Sequence, residues 1–400
     1  MSSRSRAMLP LVAVFSAGYL AAYLLPVIVS RLTSGLGLGT AQAGATGSAL
    51  LLASACAGPV FASRVDRIGP ARLARVGLLV TAAGFGVAAC TAYVPLVVAG
   101  CVVGGFGSGT ATAVAAVGIA AQAEPHRASV LGLLTTSAAA GALYLVLPRL
   151  GGGHGLPFAA VACGALLALP TAGLLPAGAP RRAAGGSRGT LPYRRSGAVL
   201  AVGMLCWSMS QNALWGLSGR IGLDRAGLSE ASLGVVFAVA LGGGLVGVTA
   251  AAALGARLGR AVPIGAGTAL IAGCIAVTSS ATGAVPFAVG EVLWNTVYPV
   301  VLTYLIGLSA ALDPRGRWAV IAGSASSLGL ACGPLAGTLL SAHAGYAGMG
   351  MALGCLLLVV AVPLTAVALR VRPRSTLVVT PIELEIAVAV PADAKPVTAA

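Results

Sequence analysis

Twelve apolar runs, each about 19–26 residues long, occupy most of this chain of 400 residues. They cover 9–30, 43–63, 73–92, 95–121, 128–148, 157–176, 197–219, 232–254, 262–282, 286–311, 318–341 and 347–369. A helix needs ~20 apolar residues, at ~1.5 Å rise each, to cross the hydrocarbon layer of a bilayer. Inside that layer the backbone has to satisfy its own hydrogen bonds, which a helix does. Only 8% of the residues are charged and the mean hydropathy is +0.97, against about 25% charged residues in a soluble domain. The expected fold class is therefore an all-α integral membrane protein with twelve transmembrane helices. The first run outlasts a cleavable signal peptide and reads as a span. All eight cysteines fall in apolar runs without a CxxC pair, so they read as small buried hydrophobes and not as a disulfide frame or metal site.

A formal net charge of +15 raises the question of a nucleic-acid partner. The distribution of the charge answers it. With both termini in the cytoplasm, the inside segments hold Arg4, Arg6, Arg64, Arg67, Arg72, Arg75, Arg127, Arg181, Arg182, Arg188, Arg194, Arg195, Arg257, Arg260, Arg315, Arg317, Arg370, Arg372, Arg374 and Lys395. Those are 20 of the 24 basic residues, leaving Arg31, Arg149, Arg220 and Arg225 outside. This is the bias that orients membrane proteins during insertion. It implies a multi-pass protein partnered with the lipid bilayer and with no nucleic acid. An Ala/Gly/Arg-rich chain with a single lysine suggests a bacterial source and so a bacterial cytoplasmic membrane.

Residues 177–196 are basic and rich in Gly and Pro, and read as a cytoplasmic linker after six spans. The expected domains are thus 1–176, a six-helix half, the linker 177–196, a second half over 197–369, and a disordered cytoplasmic tail over 370–400. The halves repeat. Gly44 matches Gly234, Arg67 matches Arg257 and Gly69 matches Gly259 at an offset of 190. Glu124-Pro125 matches Asp313-Pro314 at 189, and Pro95 matches Pro286 at 191. Parallel repeats in transporters place the solute site between the halves near the midplane.

Between the second and third runs sits Ala62-Ser63-Arg64-Val65-Asp66-Arg67-Ile68-Gly69-Pro70-Ala71-Arg72. It resembles the loop signature of the major facilitator superfamily, a Gly, three residues, Asp-Arg, any residue, Gly and then basic residues. Asp66, Arg67 and Gly69 match; Ala62 and Pro70 depart from the pattern. A worn copy, Ala256-Arg257-Leu258-Gly259-Arg260, lies in the second half. The resemblance covers about residues 9–369 and implies two pseudo-symmetric six-helix halves. It also implies that Asp66, Arg67, Gly69 and Arg257 form a conformational latch, with Asp66 meeting the start of the eleventh span near Arg317–Ile321. Independently, Gly69 permits a tight turn and the arginines suit anionic headgroups. The glycine-rich Gly104–Gly109 and Gly329–Gly337 stretches read as packing elements.

Glu291 is the charged residue set well inside an apolar run, where a charge costs roughly 2.5–3.5 kcal/mol and marks function by default. The helical repeat puts Glu291, Trp294, Asn295 and Tyr298 on one face, and Pro299 leaves the carbonyl of Asn295 without a donor and predicts a kink. On the seventh run Trp207, Gln211 and Trp215 share a face, with Gln211 level with Asn295 and Trp215 level with Glu291. The resemblance implies that spans 1, 4, 7 and 10 line the cavity, bringing Tyr19 and Tyr23 to these groups. Glu291 reads either as the proton carrier or as a protonated acid bonded to a neighbouring helix.

The expected function is secondary active transport by a monomer, with proton-coupled export of a small amphipathic or cationic organic molecule. Proton-symport uptake of a small organic nutrient is the alternative, and a non-transporting membrane sensor or assembly factor a third reading. No cofactor, metal or enzymatic constellation is expected. Cysteines introduced at residues 187 and 225 of a cysteine-free variant should react with an impermeant thiol reagent from inside only and from outside only, respectively. The reverse pattern would overturn the orientation.

Overall fold

The computed structural model describes residues 3–61, 64–122, 124–151, 153–175, 191–255, 257–313 and 316–371. Most of the linker and nearly all of the tail lie outside the described residues. The described residues are helical throughout, in the order α1 (Ser3–Tyr23), α2 (Leu25–Leu36), α3 (Thr40–Phe61), α4 (Val65–Ile68), α5 (Pro70–Cys90), α6 (Val94–Ala120), α7 (Pro125–Leu150), α8 (Gly155–Ala172), α9 (Arg194–Asp224), α10 (Glu230–Leu254), α11 (Ala261–Ser280), α12 (Ala284–Leu312) and α13 (Arg317–Arg370).

Nine of these helices are long and apolar enough to cross a membrane, and α1 with α2 makes a tenth across a 46° bend. The 31 residues of α9 are less apolar because Ser208, Ser210, Gln211 and Asn212 interrupt them, yet they are long enough to span. At 54 residues α13 is about twice the length of a span, and it turns back at Gly345, whose φ of 68° is open to glycine. With α9 counted as a span and α13 as two, the described residues hold about twelve, in keeping with the all-α membrane fold expected.

Two departures from the expected elements concern proline. Pro26 sits in the first turn of α2, and its missing N–H falls at a real break after Tyr23. Pro299, for which a kink was expected, lies inside an uninterrupted α12. The helix stays whole there because it is held on one side by α10: a Cβ at Gly247 would run into the Thr296 carbonyl and approach Pro299 Cγ at 2.8 Å.

The halves are joined tightly at one end of the bundle, the end that carries α2. There Arg31 on α2, buried against the other half, binds Glu230 on α10 at 2.6 Å. Ser48 Oγ on α3 accepts from the Leu335 amide of α13 at 2.9 Å. The repeat-related glycines Gly44 and Gly234 take equivalent places. A side chain on Gly44 would strike Thr338 of α13, and one on Gly234 would strike the Tyr144 carbonyl of α7. Each half thus offers a glycine on its second helix to the fifth helix of the other, the geometry that a two-fold axis along the bundle produces. Within the first half, Gly105 and Gly109 of α6 meet the carbonyls of Leu50 and Ser54 on α3, so the glycine-rich stretch is a packing face.

Gly44→Leu and Gly234→Leu should each wedge this end apart. Spin labels at positions 34 and 225, both exposed, should then move to longer distances. Gly58→Leu, placed where nothing lies within 4 Å of a Cβ, should leave them unchanged. Equal behaviour of all three variants would remove the assigned role of the repeat glycines.

Candidate functional site

A cavity of about 230 Å³ lies between the two halves. Phe15, Tyr19, Ala22 and Tyr23 of α1 and Leu133 and Ser137 of α7 form one wall. The other half supplies Gln211, Asn212 and Trp215 of α9, Leu241 to Val248 of α10, Trp294 to Leu302 of α12 and Gly323 to Leu330 of α13. The lining runs from the middle of the helices towards the end that carries Arg67 and Arg257. Its residues include no Asp, Glu, Lys, Arg or His. Apolar and aromatic surface with a few amides and hydroxyls is the usual make-up of a small-molecule site.

Of the expected contact residues, Tyr19, Tyr23, Gln211, Trp215, Trp294, Asn295 and Tyr298 line this cavity. Trp207 does not. It is wholly buried and stacks on Tyr298 from behind, with ring centroids 5.0 Å apart and planes 19° from parallel. Rings continue from there without interruption. Trp294 lies 6.2 Å from Tyr298, Trp215 5.7 Å from Trp294, and Phe237 5.5 Å from Trp215. Such tilted and stacked pairs fix each other's orientation and contribute roughly 0.5–1.5 kcal/mol apiece beyond burial.

The break between α1 and α2 explains why Trp215 sits where it does. Pro26 has no N–H for the carbonyl of Ala22, four residues earlier, and this carbonyl would be orphaned in the bundle. The indole Nε1 of Trp215, from the other half, donates to it at 3.2 Å. The next carbonyl, that of Tyr23, accepts from the Tyr144 hydroxyl at 2.6 Å. Trp215 thus completes the backbone of the opposite half at the cavity wall.

Glu291 is fully buried and does not line the cavity. One carboxylate oxygen accepts from Ser218 Oγ on α9, and the other has no partner among the described residues. Gln211 and Trp215, expected level with Asn295 and Glu291, both meet Trp294: Trp215 packs on its ring, and its indole N–H donates to Gln211 Oε1. Side chains lean towards the start of their own helix. Because α9 and α12 run antiparallel, Glu291 leans up to Ser218 while Trp215 leans down to Trp294. Ser218 had a signal in the sequence, since it follows Trp207, Gln211 and Trp215 at the same helical spacing.

Around the expected latch, Gly69 has a φ of 93° and its repeat mate Gly259 one of 63°, so both loops turn where only glycine fits easily. Arg67 and Arg257 are exposed. The side chain of Asp66 lies outside the described residues. Among those residues no group of His, Cys, Asp and Glu could hold a metal ion.

A sequence profile of the Major Facilitator Superfamily matches residues 11–312. The chain belongs to the major facilitator superfamily. No curated protein matches it by sequence. By fold it is similar to the human organic anion transporter MFSD10, with a TM-score of 0.66 at 18% identity over 91% of this chain and 100% of that one. The POT family transporter PepTSo gives 0.72 at 12%, over 92% and 98%. A bacterial homologue of the human lysosomal transporter Spinster, in an inward-facing and unoccupied conformation, gives 0.69 at 14%, over 99% and 100%. At these identities the likeness is one of fold, that of multi-pass transporters of this superfamily.

Ser218→Ala should lower thermal stability by about 1–3 kcal/mol, the usual cost of stripping a buried polar group of its partner. Ser210→Ala, which removes only a bond to Cys206 O of the same helix, should cost less. Equal melting temperatures for the two variants would mean that Ser218 does not support Glu291.

Proposed function

We propose that this superfamily member is a proton-coupled secondary transporter that exports a small amphipathic or cationic organic molecule. The single observation that carries the substrate class is the cavity lining: aromatic faces, amides and hydroxyls, with no basic side chain to clamp an anion. Ring faces favour flat apolar solutes and attract cations by roughly 0.5–2 kcal/mol per contact. The tight joining of the halves at the α2 end and the cavity's reach towards the basic end support an inward-facing state, with that basic end in the cytoplasm. On this reading the protein works as a monomer in a bacterial cytoplasmic membrane, with both termini inside. Arg31–Glu230 opens when the halves rock, and Asp66, Arg67, Gly69 and Arg257 close the opposite end.

Glu291 is the proposed proton carrier. It stands on α12 one turn from Trp294 and Asn295, and Asn295 Nδ2 donates to its backbone carbonyl at 3.0 Å. A shift of this part of α12 as a solute enters would therefore change the surroundings of the carboxyl. Burial favours the protonated carboxyl and contact with water the ionised one. Proton binding and solute binding are coupled in this way through a wall of the cavity and not through direct contact.

The test is flux into liposomes with and without an imposed pH gradient. Glu291→Gln keeps the hydrogen bond to Ser218 but removes titration, so gradient-driven accumulation should vanish while solute exchange survives. Glu291→Asp should retain partial coupling. Normal accumulation by the Gln variant would rule out the carrier and leave Glu291 as a structural acid.

A further inference from the structure

The three amide side chains of the cavity wall have a fixed sense, because their partners leave each one orientation. An indole N–H can only donate, so the atom of Gln211 that meets Trp294 Nε1 is its carbonyl oxygen. Gln211 Nε2 is then the free end. It is a donor with no acceptor, on a side chain 1% exposed that lines the cavity. Backbone carbonyls can only accept, and they orient the two asparagines the opposite way. Asn212 Nδ2 donates to Ser208 O at 3.0 Å, and Asn295 Nδ2 donates to Glu291 O at 3.0 Å. Both asparagine side chains therefore turn their carbonyl oxygens outward from their helices, and both residues line the same cavity.

The wall thus offers one unsatisfied N–H₂ group together with two acceptors, set among the tilted rings of Trp294, Trp215 and Tyr298. A buried donor left alone is unfavourable, and a ligand that supplies an acceptor relieves it. An amine supplies donors only and leaves Gln211 unpaired. A carboxylate supplies acceptors only, and it brings a charge that no cation in the lining meets. A carboxamide or lactam supplies both senses side by side: a carbonyl for Gln211 and an N–H for Asn212 or Asn295. We infer that the cavity selects planar, uncharged solutes with a carboxamide or lactam edge, and that Gln211 is the residue that reads the carbonyl. The inference rests on reading this cavity as the solute site, and it narrows the amphipathic class within that reading.

Three probes with one ring system separate the possibilities: 2-naphthamide, 2-naphthylmethylamine and 2-naphthoate. Their binding is measured by calorimetry on the full-length protein in nanodiscs, with the heats from empty nanodiscs subtracted. The amide should bind about ten-fold tighter than the amine and the acid, one unmet buried hydrogen bond being of that order. Gln211→Glu keeps an acceptor for Trp294 but has no N–H, and should remove the preference for the amide in favour of the amine. Gln211→Leu should abolish discrimination without that reversal, which covers the case in which a buried carboxylate prevents folding. An amide preference that persists in both variants would overturn the role of Gln211. Amine or acid binding as tight as the amide would overturn the inference while keeping the cavity as a solute site. Absence of binding by all three would overturn both.

Discussion

Two backbone carbonyls released in the first span organise the centre of this protein. In a bilayer an orphaned carbonyl finds no water, so a helix can break only where other side chains supply the missing donors. Pro26 removes the donor for Ala22 O, and Trp215 from the opposite half replaces it. Tyr144 caps the neighbouring Tyr23 O. The break bends the span by 46° and leaves Tyr19, Ala22 and Tyr23 facing the space between the halves. The position of the Trp215 ring then decides the rest of the aromatic chain, because Trp294 and Phe237 pack on it and Tyr298 on Trp294. A hydrogen bond across the halves at the cavity wall is also a contact that rocking would alter. The same group that completes the backbone ladder in this state would report whether the halves have moved.

The internal repeat explains how one end of the bundle closes without a large polar interface. Gly44 and Gly234 bring backbone against backbone at two symmetric places, where dispersion over a close contact replaces the hydrophobic drive that lipid does not provide. Arg31–Glu230 adds a charged pair at the same end. The arginine is almost entirely buried while the glutamate is partly open to solvent, so the pair is partly screened. Its geometric role, holding α2 to α10, is the larger one. Because close packing falls off steeply with distance, such an end is either closed or open and has little to gain from a state between.

Much of this was legible in the sequence, and the reasons are physical. A span is specified by length and apolarity, so the run 286–311 reappears as Ala284–Leu312 and 95–121 as Val94–Ala120. Repeat positions were legible because glycine is needed wherever backbones touch or turn left-handed, as at Gly69 and Gly259. The face of α12 was legible from helical periodicity, which gives the azimuth of Trp294, Asn295 and Tyr298. Periodicity does not say how deep a neighbouring helix lies or which way a long side chain leans. For that reason periodicity leaves the Ser218 partner of Glu291 unnamed, and it puts Trp207 on the cavity when the ring backs Tyr298. The break at Leu24 was hidden for a related reason: a proline in an apolar run marks a lost donor, but only the neighbours decide between a broken helix, as at Pro26, and a continuous one, as at Pro299.

The separation of Glu291 from the cavity has a consequence for specificity. A carboxylate in direct contact with solute would tie proton release to solute charge, and a cation would always compete with the proton. Here Glu291 is fully buried outside the cavity, and the cavity lining itself carries no charge. Under the proposed mechanism the wall must then transmit the coupling mechanically, and the route is short. Trp294 and Gln211 join α12 to α9, Asn295 holds the Glu291 carbonyl, and Ser218 on α9 holds its side chain. On that mechanism a solute that pulled Gln211 towards the cavity would strain the same pair of helices that Ser218 and Glu291 bridge further along. Uncharged solutes would then be coupled to protons by such a wall as readily as charged ones, because the acid would sense the spacing of α9 and α12 and not the charge of the cargo.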